Sequence, residues 1–384
     1  MSIKVAIVIP AYREALYIEK TLRSIEKSVQ FANQSVPTPP VVIVVNNPAT
    51  ISRKFLKENQ MLVRFLEDSK PLYSFEIHIL DYTDPGIKFG VGQARKIGLE
   101  YAMVKWLHDP QDRLVCLDAD TTVNAQYIAA LYQNLDDISG FTIDCHHPTD
   151  REEMIFYELF LRYVPYGLQQ AKSPFGFIAI GSAMGCTVEA YKKIGGMPAK
   201  SATEDFHFLN KLRKLAPIRV LSDAKVYPSD RKSFRVTLGT GAFLKSTGKN
   251  LEYAMQKLVI PTPEEYKRLQ KVIESLQDFY ATDSLLHLFE QINDVTSYQH
   301  LRERGIVEKL HKIKDGCTDM VTYFKRIMEI FDGLETIRLL RYYMQDRQPL
   351  TLGQFLTWCQ QLHDPTTHIH STDPLQMLQA YRQK

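Results

Sequence analysis

Residues 114–122 read Leu-Val-Cys-Leu-Asp-Ala-Asp-Thr-Thr, an apolar run that ends in two carboxylates. The run predicts a short buried strand, and Asp118 and Asp120 follow it at once. Ligands of an open α/β sheet bind outside the carboxyl ends of its strands. A carboxylate pair at that position can therefore hold a hard divalent cation on a phosphate-bearing substrate. The pair can equally cap a turn or the next helix, and the motif alone is weak.

Segments on both sides of this stretch alternate between strands and helices. Continuous apolar runs have the pattern of parallel strands covered on both faces, and the segments between them carry apolar residues at helical spacing. The predicted strands are Lys4–Pro10, Val41–Val45, Phe75–Leu80, Leu114–Leu117, Gly140–Cys145, Phe177–Met184 and Arg219–Tyr227, and the predicted helices are Ala11–Phe31, Arg53–Glu67, Gln93–Leu107, Ala125–Leu135, Glu152–Gln170, Val188–Ile194 and Thr203–Leu215. This alternation predicts an α/β fold with a mostly parallel sheet flanked by helices.

The last third of the chain has a different character, because no further clear strand appears after about Glu252. Amphipathic segments at Glu264–Tyr280, Ser284–Arg304, Met320–Tyr343 and Leu352–His363 predict an additional α-helical C-terminal domain. We therefore expect two domains, residues 1–248 and 249–384. The helical domain is expected to serve packing or a homo-oligomer contact. Its basic residues leave open a peripheral contact with an anionic membrane.

Composition limits the classes of protein that remain. The chain has 384 residues, of which 45% are apolar and 24% charged, and its formal net charge is +3. So small a charge argues against a nucleic-acid partner. Five cysteines without paired metal-ligand spacing predict free thiols. The N-terminus lacks the apolar core of a signal peptide, and no apolar run approaches the ~20 residues of a transmembrane segment, which predicts a cytoplasmic protein.

Glycine positions argue against two common nucleotide-binding motifs. Gly90-Val91-Gly92 is followed by Arg95 where the dinucleotide fingerprint requires a third glycine, and the turn after the first strand contains no glycine. The lysine pattern of a phosphate-binding P-loop is also missing from the sequence. A dinucleotide oxidoreductase is therefore disfavoured.

Polar residues instead follow successive predicted strands or begin helices, where one cleft could collect them: Glu14, Asn46, Asn47, Arg95, Asp118, Asp120, Glu204 and Asp205. Five segments occur in a fixed order, and four of them contain all of these residues except Asn46 and Asn47. They are Ile9-Pro10-Ala11-Tyr12-Arg13-Glu14, Gly92-Gln93-Ala94-Arg95-Lys96-Ile97-Gly98-Leu99, Leu117-Asp118-Ala119-Asp120, Gly195-Gly196-Met197-Pro198 and Thr203-Glu204-Asp205-Phe206. Over about residues 1–245 this set resembles inverting glycosyltransferase family 2, whose members have the GT-A fold.

The resemblance implies a site for a nucleotide-diphosphate sugar. Pro10, Ala11, Tyr12 and Glu14 match the family's nucleoside pocket, Arg95 matches an arginine that faces the diphosphate, and Asp118 matches a contact to the nucleotide sugar. Asp120 would bind Mg²⁺ or Mn²⁺ on the diphosphate. The resemblance favours a UDP-sugar, but Asn46-Asn47 departs from the acidic pair common at that strand end, which leaves a GDP-sugar open.

The resemblance also implies how the acceptor hydroxyl is activated. Glu204-Asp205 matches the family's catalytic acidic pair, with Asp205 as the general base. Thr203-Glu204-Asp205 also satisfies a helix N-cap. Asp230 stands where relatives carry a further metal or phosphate ligand, and a turn aspartate is an equal alternative. Arg231, Lys232 and Arg235 could form a basic lid over the diphosphate or simply a solvated run of charge.

Several alternatives stay open on the sequence alone. The Gln-x-x-Arg-Trp motif of processive members is missing from the sequence, which favours single transfer over polymer synthesis. A nucleotidyltransferase, or a sugar-nucleotide-binding protein without turnover, is the alternative to a glycosyltransferase. His146 and His147 have no zinc-ligand spacing and are expected to be ordinary polar residues, whereas His207 could contact the acceptor, an unidentified hydroxyl compound.

Overall fold

The computed structural model describes residues 3–83, 90–135, 137–149, 151–200, 202–231, 239–248, 250–345, 347–363 and 373–383. The chain forms two compact units. The first contains Met1–Pro148 and Ala179–Ala242, and the second contains Thr149–Ile178 and Phe243–Lys384. A single boundary near residue 248 does not describe this division, because residues 149–178 group with the C-terminal helices rather than with the sheet.

Strands and helices alternate through the first part of the chain and give way to helices after residue 228. The strands are β1 Val5–Ala11, β2 Val41–Asn47, β3 Ile77–Thr83, β4 Arg113–Cys116, β5 Thr121–Val123, β6 Gly140–Cys145, β7 Met184–Thr187 and β8 Ile218–Pro228. The α-helices are α1 Ile18–Ala32, α2 Arg53–Ser69, α3 Val91–Lys105, α4 Tyr127–Ala130, α5 Glu152–Gln170, α6 Val188–Lys193, α7 Glu204–Leu215, α8 Thr240–Ser246, α9 Leu251–Met255, α10 Pro263–Thr282, α11 Leu285–Ile292, α12 Val295–Glu303, α13 Leu310–Asp315, α14 Met320–Ile330, α15 Gly333–Tyr343, α16 Leu352–Leu362 and α17 Pro374–Tyr381. Short 3₁₀ turns occupy Lys70–Leu72 and Val307–Lys309.

The strands form one sheet in the order β3-β2-β1-β4-β7-β6-β8-β5. β1 pairs in parallel with β2 and β4, β2 with β3, and β6 with β8. β7 is antiparallel to both of its neighbours, and β5 is antiparallel to β8. The predicted α/β class with a helix-flanked, mostly parallel sheet and a helical C-terminal part is therefore confirmed, with antiparallel pairing confined to β7 and β5.

The predicted strand Phe177–Met184 is wrong, because the strand at this place is Met184–Thr187. The backbone turns just before it, where the Ala183 amide donates to the Ile180 carbonyl at 3.0 Å. Gly181, inside that turn, lies against the guanidinium of Arg95. The apolar run therefore covers a buried arginine instead of pairing with a neighbouring strand along its whole length. The spacing of apolar residues alone does not reveal this tertiary arrangement.

Close packing of α3 on the sheet positions the residues at its N-terminus. A Cβ on Gly98 would lie 2.3 Å from Val8 Cγ1 and 3.0 Å from Val44 Cγ2, so only glycine allows the helix to approach β1 and β2 this closely. α3 follows β3 in the chain, and its N-terminal turn therefore lies at the carboxyl edge of the parallel strands. Arg95 is carried to that edge.

The second unit is built around helices α5 and α10. A Cβ on Gly167 would lie 2.2 Å from the Tyr266 ring, which shows how closely the two helices pack. The predicted helix Ser284–Arg304 is in fact two helices, because Asn293 is left-handed and Asp294 caps α12. Asp332 caps α15 in the same way, which divides the predicted helix Met320–Tyr343. Within the part of the chain that the structure describes, no helix has the length and apolarity needed to cross a bilayer.

Candidate functional site

The carboxyl ends of three neighbouring parallel strands carry the residues that the sequence singles out. Pro10 and Ala11 are the last, buried residues of β1, and Asn46 lies in the penultimate position of β2. Asp118 follows β4 after one intervening residue. Parallel strands end at one edge of a sheet, so these positions share that edge.

Arg95 bridges two of the predicted acidic residues. Its guanidinium donates through one NH2 group to Asp118 Oδ1 and through the other to Glu204 Oε1. Arg95 is 2% exposed and Glu204 is 4% exposed. The Arg95 Nε–H has no hydrogen-bond partner among the described residues. Burial lowers the pKa of Arg95, but the carboxylates of Asp118 and Glu204 raise it further, so that the arginine stays charged. The motif after β4 and the motif that begins α7 therefore meet through one side chain.

Arg231 forms a second bridge on the other side of the acidic turn. One NH2 group donates to both Glu14 carboxylate oxygens, at 2.6 and 2.7 Å, and Nε lies 2.8 Å from Asp120 Oδ2. The same Asp120 oxygen accepts from the Ser229 hydroxyl at 2.8 Å, and the guanidinium lies 4.2 Å from the centre of the Tyr17 ring. The turn after β1 and the residues after β8 are thus joined to the Asp-x-Asp turn.

Two strained residues precede the buried glutamates of these bridges. Arg13 has φ +61° and stands before Glu14, and Thr203 has φ +60° and stands before Glu204. Left-handed backbone is unfavourable for a β-branched threonine and persists where surrounding contacts enforce it. Thr203 occupies the N-cap position of α7, as the sequence allows, but its hydroxyl donates to the Ala202 carbonyl and makes no capping hydrogen bond to the helix.

Asp205 lies beside the Arg95 bridge, at the start of α7. Its Oδ1 accepts from the backbone N–H of Phe206 at 2.7 Å. Burial, and then the neighbouring Glu204 carboxylate, raise the pKa of Asp205 to about 6, against the lowering effect of Arg95. A carboxylate with such a pKa is ionised near neutral pH yet basic enough to accept a proton.

An amide network fills the end of β2. The Asn59 amide donates to Asn47 Oδ1 at 2.7 Å, Asn47 donates to Asp81 Oδ1 at 3.1 Å, and Asn59 Oδ1 accepts from the Arg13 N–H at 2.9 Å. Asn47 is therefore committed to the scaffold. Asn46, on the opposite face of the strand, is 6% exposed, and its amide has no hydrogen bond among the described residues.

The Asp-x-Asp turn can be tested for its fit to Mg²⁺ or Mn²⁺. Asp118 Oδ2 and Asp120 Oδ1 accept no hydrogen bond from any described residue, while the other oxygen of each is bound to an arginine. Two carboxylate oxygens suffice for these ions when substrate phosphates and water complete the shell. The protein alone does not supply a complete set of metal ligands among its described residues. Over the described ranges, no three His, Cys, Asp or Glu side chains are grouped to hold a metal ion. Asp230 lies between Ser229 and Arg231, and Lys232 and Arg235 of the suggested basic lid lie outside the described residues.

Sequence reasoning missed three parts of this site. Ser229 and Tyr17, which contact Asp120 and Arg231, carry no sequence signal that separates them from ordinary surface residues. Gly181 is the third: a Cβ there would lie 2.3 Å from Arg95 NH2 and 2.5 Å from its Cζ, and only the folded arrangement reveals this. The sequence shows Arg231 only as part of a basic run, because its two carboxylate partners, Glu14 and Asp120, are distant in sequence.

Fold and site together define an α/β protein with an acidic, arginine-bridged edge suited to a ligand. No protein-family model matches the chain, and no curated protein matches it. Among solved structures, S. aureus TarS 1-349 is 17% identical over 90% of this chain and 92% of that chain, with a TM-score of 0.42. The same TarS fragment in complex with UDP-GlcNAc gives 14% identity, coverage of 90% and 93%, and a TM-score of 0.44. The fragment in complex with UDP gives 14% identity, coverage of 90% of this chain and 92% of that chain, and a TM-score of 0.41. Similarity at this level supports no conclusion about the present chain. Its function has to be argued from the geometry of its own site.

Proposed function

We propose that this protein is an inverting glycosyltransferase of the family 2 type, with a GT-A sheet domain, that moves one sugar from a nucleotide-diphosphate sugar to an acceptor hydroxyl. The observation that carries the proposal is the Arg95 bridge. It joins Asp118 and Glu204, and thereby brings the Asp-x-Asp turn and the Glu204-Asp205 pair into one site. The order of motifs in the sequence supports the same assignment.

The nucleotide would occupy the turn after β1 and the end of β2. Pro10, Ala11, Tyr12 and Glu14 would line the nucleoside pocket. The amide of Asn46 offers both a donor and an acceptor to the base, which a carboxylate cannot do. A diphosphate brought to this edge meets several carboxylates, so it needs added positive charge. Arg95 and Arg231 supply two guanidinium groups.

A divalent metal would supply the remaining positive charge. Asp118 and Asp120 would hold Mg²⁺ or Mn²⁺ through the two oxygens that accept no hydrogen bond, with Asp230 as a further candidate ligand. Such an ion neutralises charge on the departing diphosphate. Arg231 now bonds Asp120 and Glu14, and it would have to yield part of that contact to the bound donor.

Asp205 would act as the base in the transfer step. Its carboxylate takes the proton from the acceptor hydroxyl while the hydroxyl oxygen forms a bond to the anomeric carbon. The bond from that carbon to the diphosphate oxygen breaks, and the electron pair leaves with the nucleoside diphosphate. A single displacement of this kind inverts the configuration at the anomeric carbon. Glu204, bound by Arg95, would hold the start of α7 in position.

Identifying the leaving group tests the proposal against its rivals. UDP- and GDP-sugars incubated with diamagnetic Mg²⁺ and a panel of hydroxyl compounds are followed by ³¹P NMR. A glycosyltransferase releases nucleoside diphosphate. Sugar 1-phosphate would instead identify a nucleotidyltransferase, because transfer of the nucleoside monophosphate leaves the β-phosphate on the sugar, and donor binding without any product would identify a binding protein. The Asp205→Asn variant provides the control for product formed at this site.

A further inference from the structure

A second pair of titratable side chains lies at the end of β6, outside the donor site described above. His146 Nε2 and Asp144 Oδ2 are 2.6 Å apart, and their side chains are 12% and 15% exposed. Cys145, between them, belongs to the apolar core on the opposite face of the sheet. Alternation along the strand therefore places Asp144 and His146 on one face, away from that core.

The C-terminal end of helix α7 packs against the start of β6. The Ser139 hydroxyl, just before β6, donates to the carbonyls of Leu212 and Ala216 at 2.7 and 3.1 Å, which fixes the C-terminal end of α7 at the start of β6. A Cβ on Gly140 would lie 3.0 Å from Leu212 Cδ1, so the glycine's side of the strand faces the helix. Twelve helical residues and six strand residues both span roughly 18–20 Å. An α7 that runs antiparallel to β6 would therefore carry Asp205 to the end of the strand where His146 lies.

On its other side, His146 approaches the acidic turn. Its ring lies against Tyr227 of β8, with ring centres 6.2 Å apart and planes at 67°. Tyr227 pairs with Thr122 of β5, two residues after Asp120. Only β8 separates β6 from β5, so the imidazole lies about two strand spacings, ~10 Å, from the Asp-x-Asp end of the site. His146 and the Asp-x-Asp turn therefore lie at the same edge of the sheet.

The pairing determines what the imidazole can offer a ligand. A carboxylate bound to Nε2 favours the neutral tautomer that carries its proton on that nitrogen, and in this tautomer Nδ1 is a hydrogen-bond acceptor. Nδ1 has no hydrogen bond to any described residue. An acceptor nitrogen beside an aromatic ring suits a carbohydrate ring, because one hydroxyl can donate to Nδ1 while the C–H face packs on Tyr227.

We propose that His146, oriented by Asp144, binds a hydroxyl of a carbohydrate acceptor and presents a neighbouring hydroxyl of the same ring to Asp205. This assignment rests on the proposed transferase function and adds the chemical class of its acceptor. His146 would contact the substrate, whereas Asp144 would be a positioning residue.

The first test measures the imidazole directly. At a pH at which the ring is neutral, ¹⁵N NMR of the histidine side chains should show His146 of the wild type as the tautomer protonated on Nε2. In Asp144→Asn the amide can donate to Nε2, and the proton should move to Nδ1. Unchanged Nε2 protonation in a folded Asp144→Asn variant would overturn the positioning role.

The second test separates acceptor binding from donor binding. His146→Gln retains an N–H at the Nε2 position for Asp144 but lacks the Nδ1 acceptor. With methyl and p-nitrophenyl glycosides as probe acceptors, its acceptor KM should rise about 3- to 10-fold, the scale of one neutral hydrogen bond. Its affinity for UDP in calorimetry should stay at the wild-type value. His311→Gln, which alters an exposed His–Asp pair at 3.0 Å in the second unit, provides the matched control and should change neither quantity.

Each outcome decides the proposal. An unchanged acceptor KM in His146→Gln, or an equal loss of UDP affinity, overturns it, and so does a wild type that transfers sugar only to acceptors without a sugar ring. These results would leave the transferase function intact. A wild type that neither binds nor consumes any nucleotide sugar would instead overturn the proposed function and this inference with it.

Discussion

Gly181→Ala probes whether the Arg95 bridge organises the site. The added Cβ would lie 2.3 Å from Arg95 NH2 and must recede to the 3.4 Å of ordinary contact, so the guanidinium has to move by about 1 Å. Arg95 is 2% exposed and bonded to both Asp118 and Glu204, and it cannot move that far and keep both partners. Separating a buried ion pair completely costs about 3–5 kcal/mol, and partial re-pairing lowers the expected loss to about 2 kcal/mol. A 1 Å misplacement of reacting groups can lower kcat/KM by ~10²-fold.

Urea unfolding and sugar transfer measure the two effects. Gly353→Ala is the matched control, because its Cβ would meet nothing within 4 Å, and it should leave both quantities near wild type. The cause can be isolated by repeating Gly181→Ala in an Arg95→Ala background, where the added methyl has no guanidinium to displace and should cost little. Wild-type stability and turnover in Gly181→Ala would refute the reasoning, as would an undiminished cost in the Arg95→Ala background.

Three further changes test other parts of the account. Asp120→Ala removes a hard oxygen ligand, so calorimetric donor affinity should become insensitive to added Mn²⁺, and an unchanged Mn²⁺ dependence would remove Asp120 from the metal site. Asp205→Asn should lower transfer by about 10²–10⁴-fold with donor affinity nearly unchanged. The base must be ionised to act and its pKa is raised to about 6, so the wild-type transfer rate should rise with pH through about 6. If Asp205→Asn kept this rise with pH, the base would be another residue. Arg382→Ala removes two hydrogen bonds of 2.7 Å from Glu158, which is 1% exposed and keeps its 3.1 Å hydrogen bond to Arg162. The free energy of unfolding should therefore fall by about 2–3 kcal/mol. The exposed Arg341→Ala should change stability by less than about 0.5 kcal/mol, and equal effects of these two arginine substitutions would contradict the buried-pair argument.

The strands and helices of the sheet domain can be predicted from the sequence because the spacing of apolar residues, and the glycine, proline and polar residues that end each element, are local signals. The run before Asp118 is a strand, and the run before Asn46 is one too, because continuous apolar residues pack on both faces of a parallel sheet. Helix Glu152–Gln170 was also predicted correctly, but not its place in the second unit. A helix rich in apolar residues can be buried against either unit, and its own sequence does not choose.

The chemistry of the candidate site was predicted less completely than its location. Arg95 was expected to face a diphosphate, and the structure shows it bonded to Asp118 and Glu204. His146 was expected to be an ordinary polar residue, yet it is paired with Asp144. Residue types and order can indicate that charged groups meet at one edge. Which of them pair depends on distances among several segments, and these exist only in the folded chain.

The anomeric configuration of the sugar first released tests the central claim most directly. An α-linked UDP-sugar that the wild type consumes is followed by ¹H NMR with Mn²⁺ replaced by diamagnetic Mg²⁺, and the product is observed before mutarotation or as the acceptor glycoside. Single displacement at the anomeric carbon, with Asp205 as the base, predicts the β-anomer together with UDP. Both signals should be lost in Asp205→Asn. Release of the α-anomer, or β-product formed equally fast by Asp205→Asn, would contradict the account.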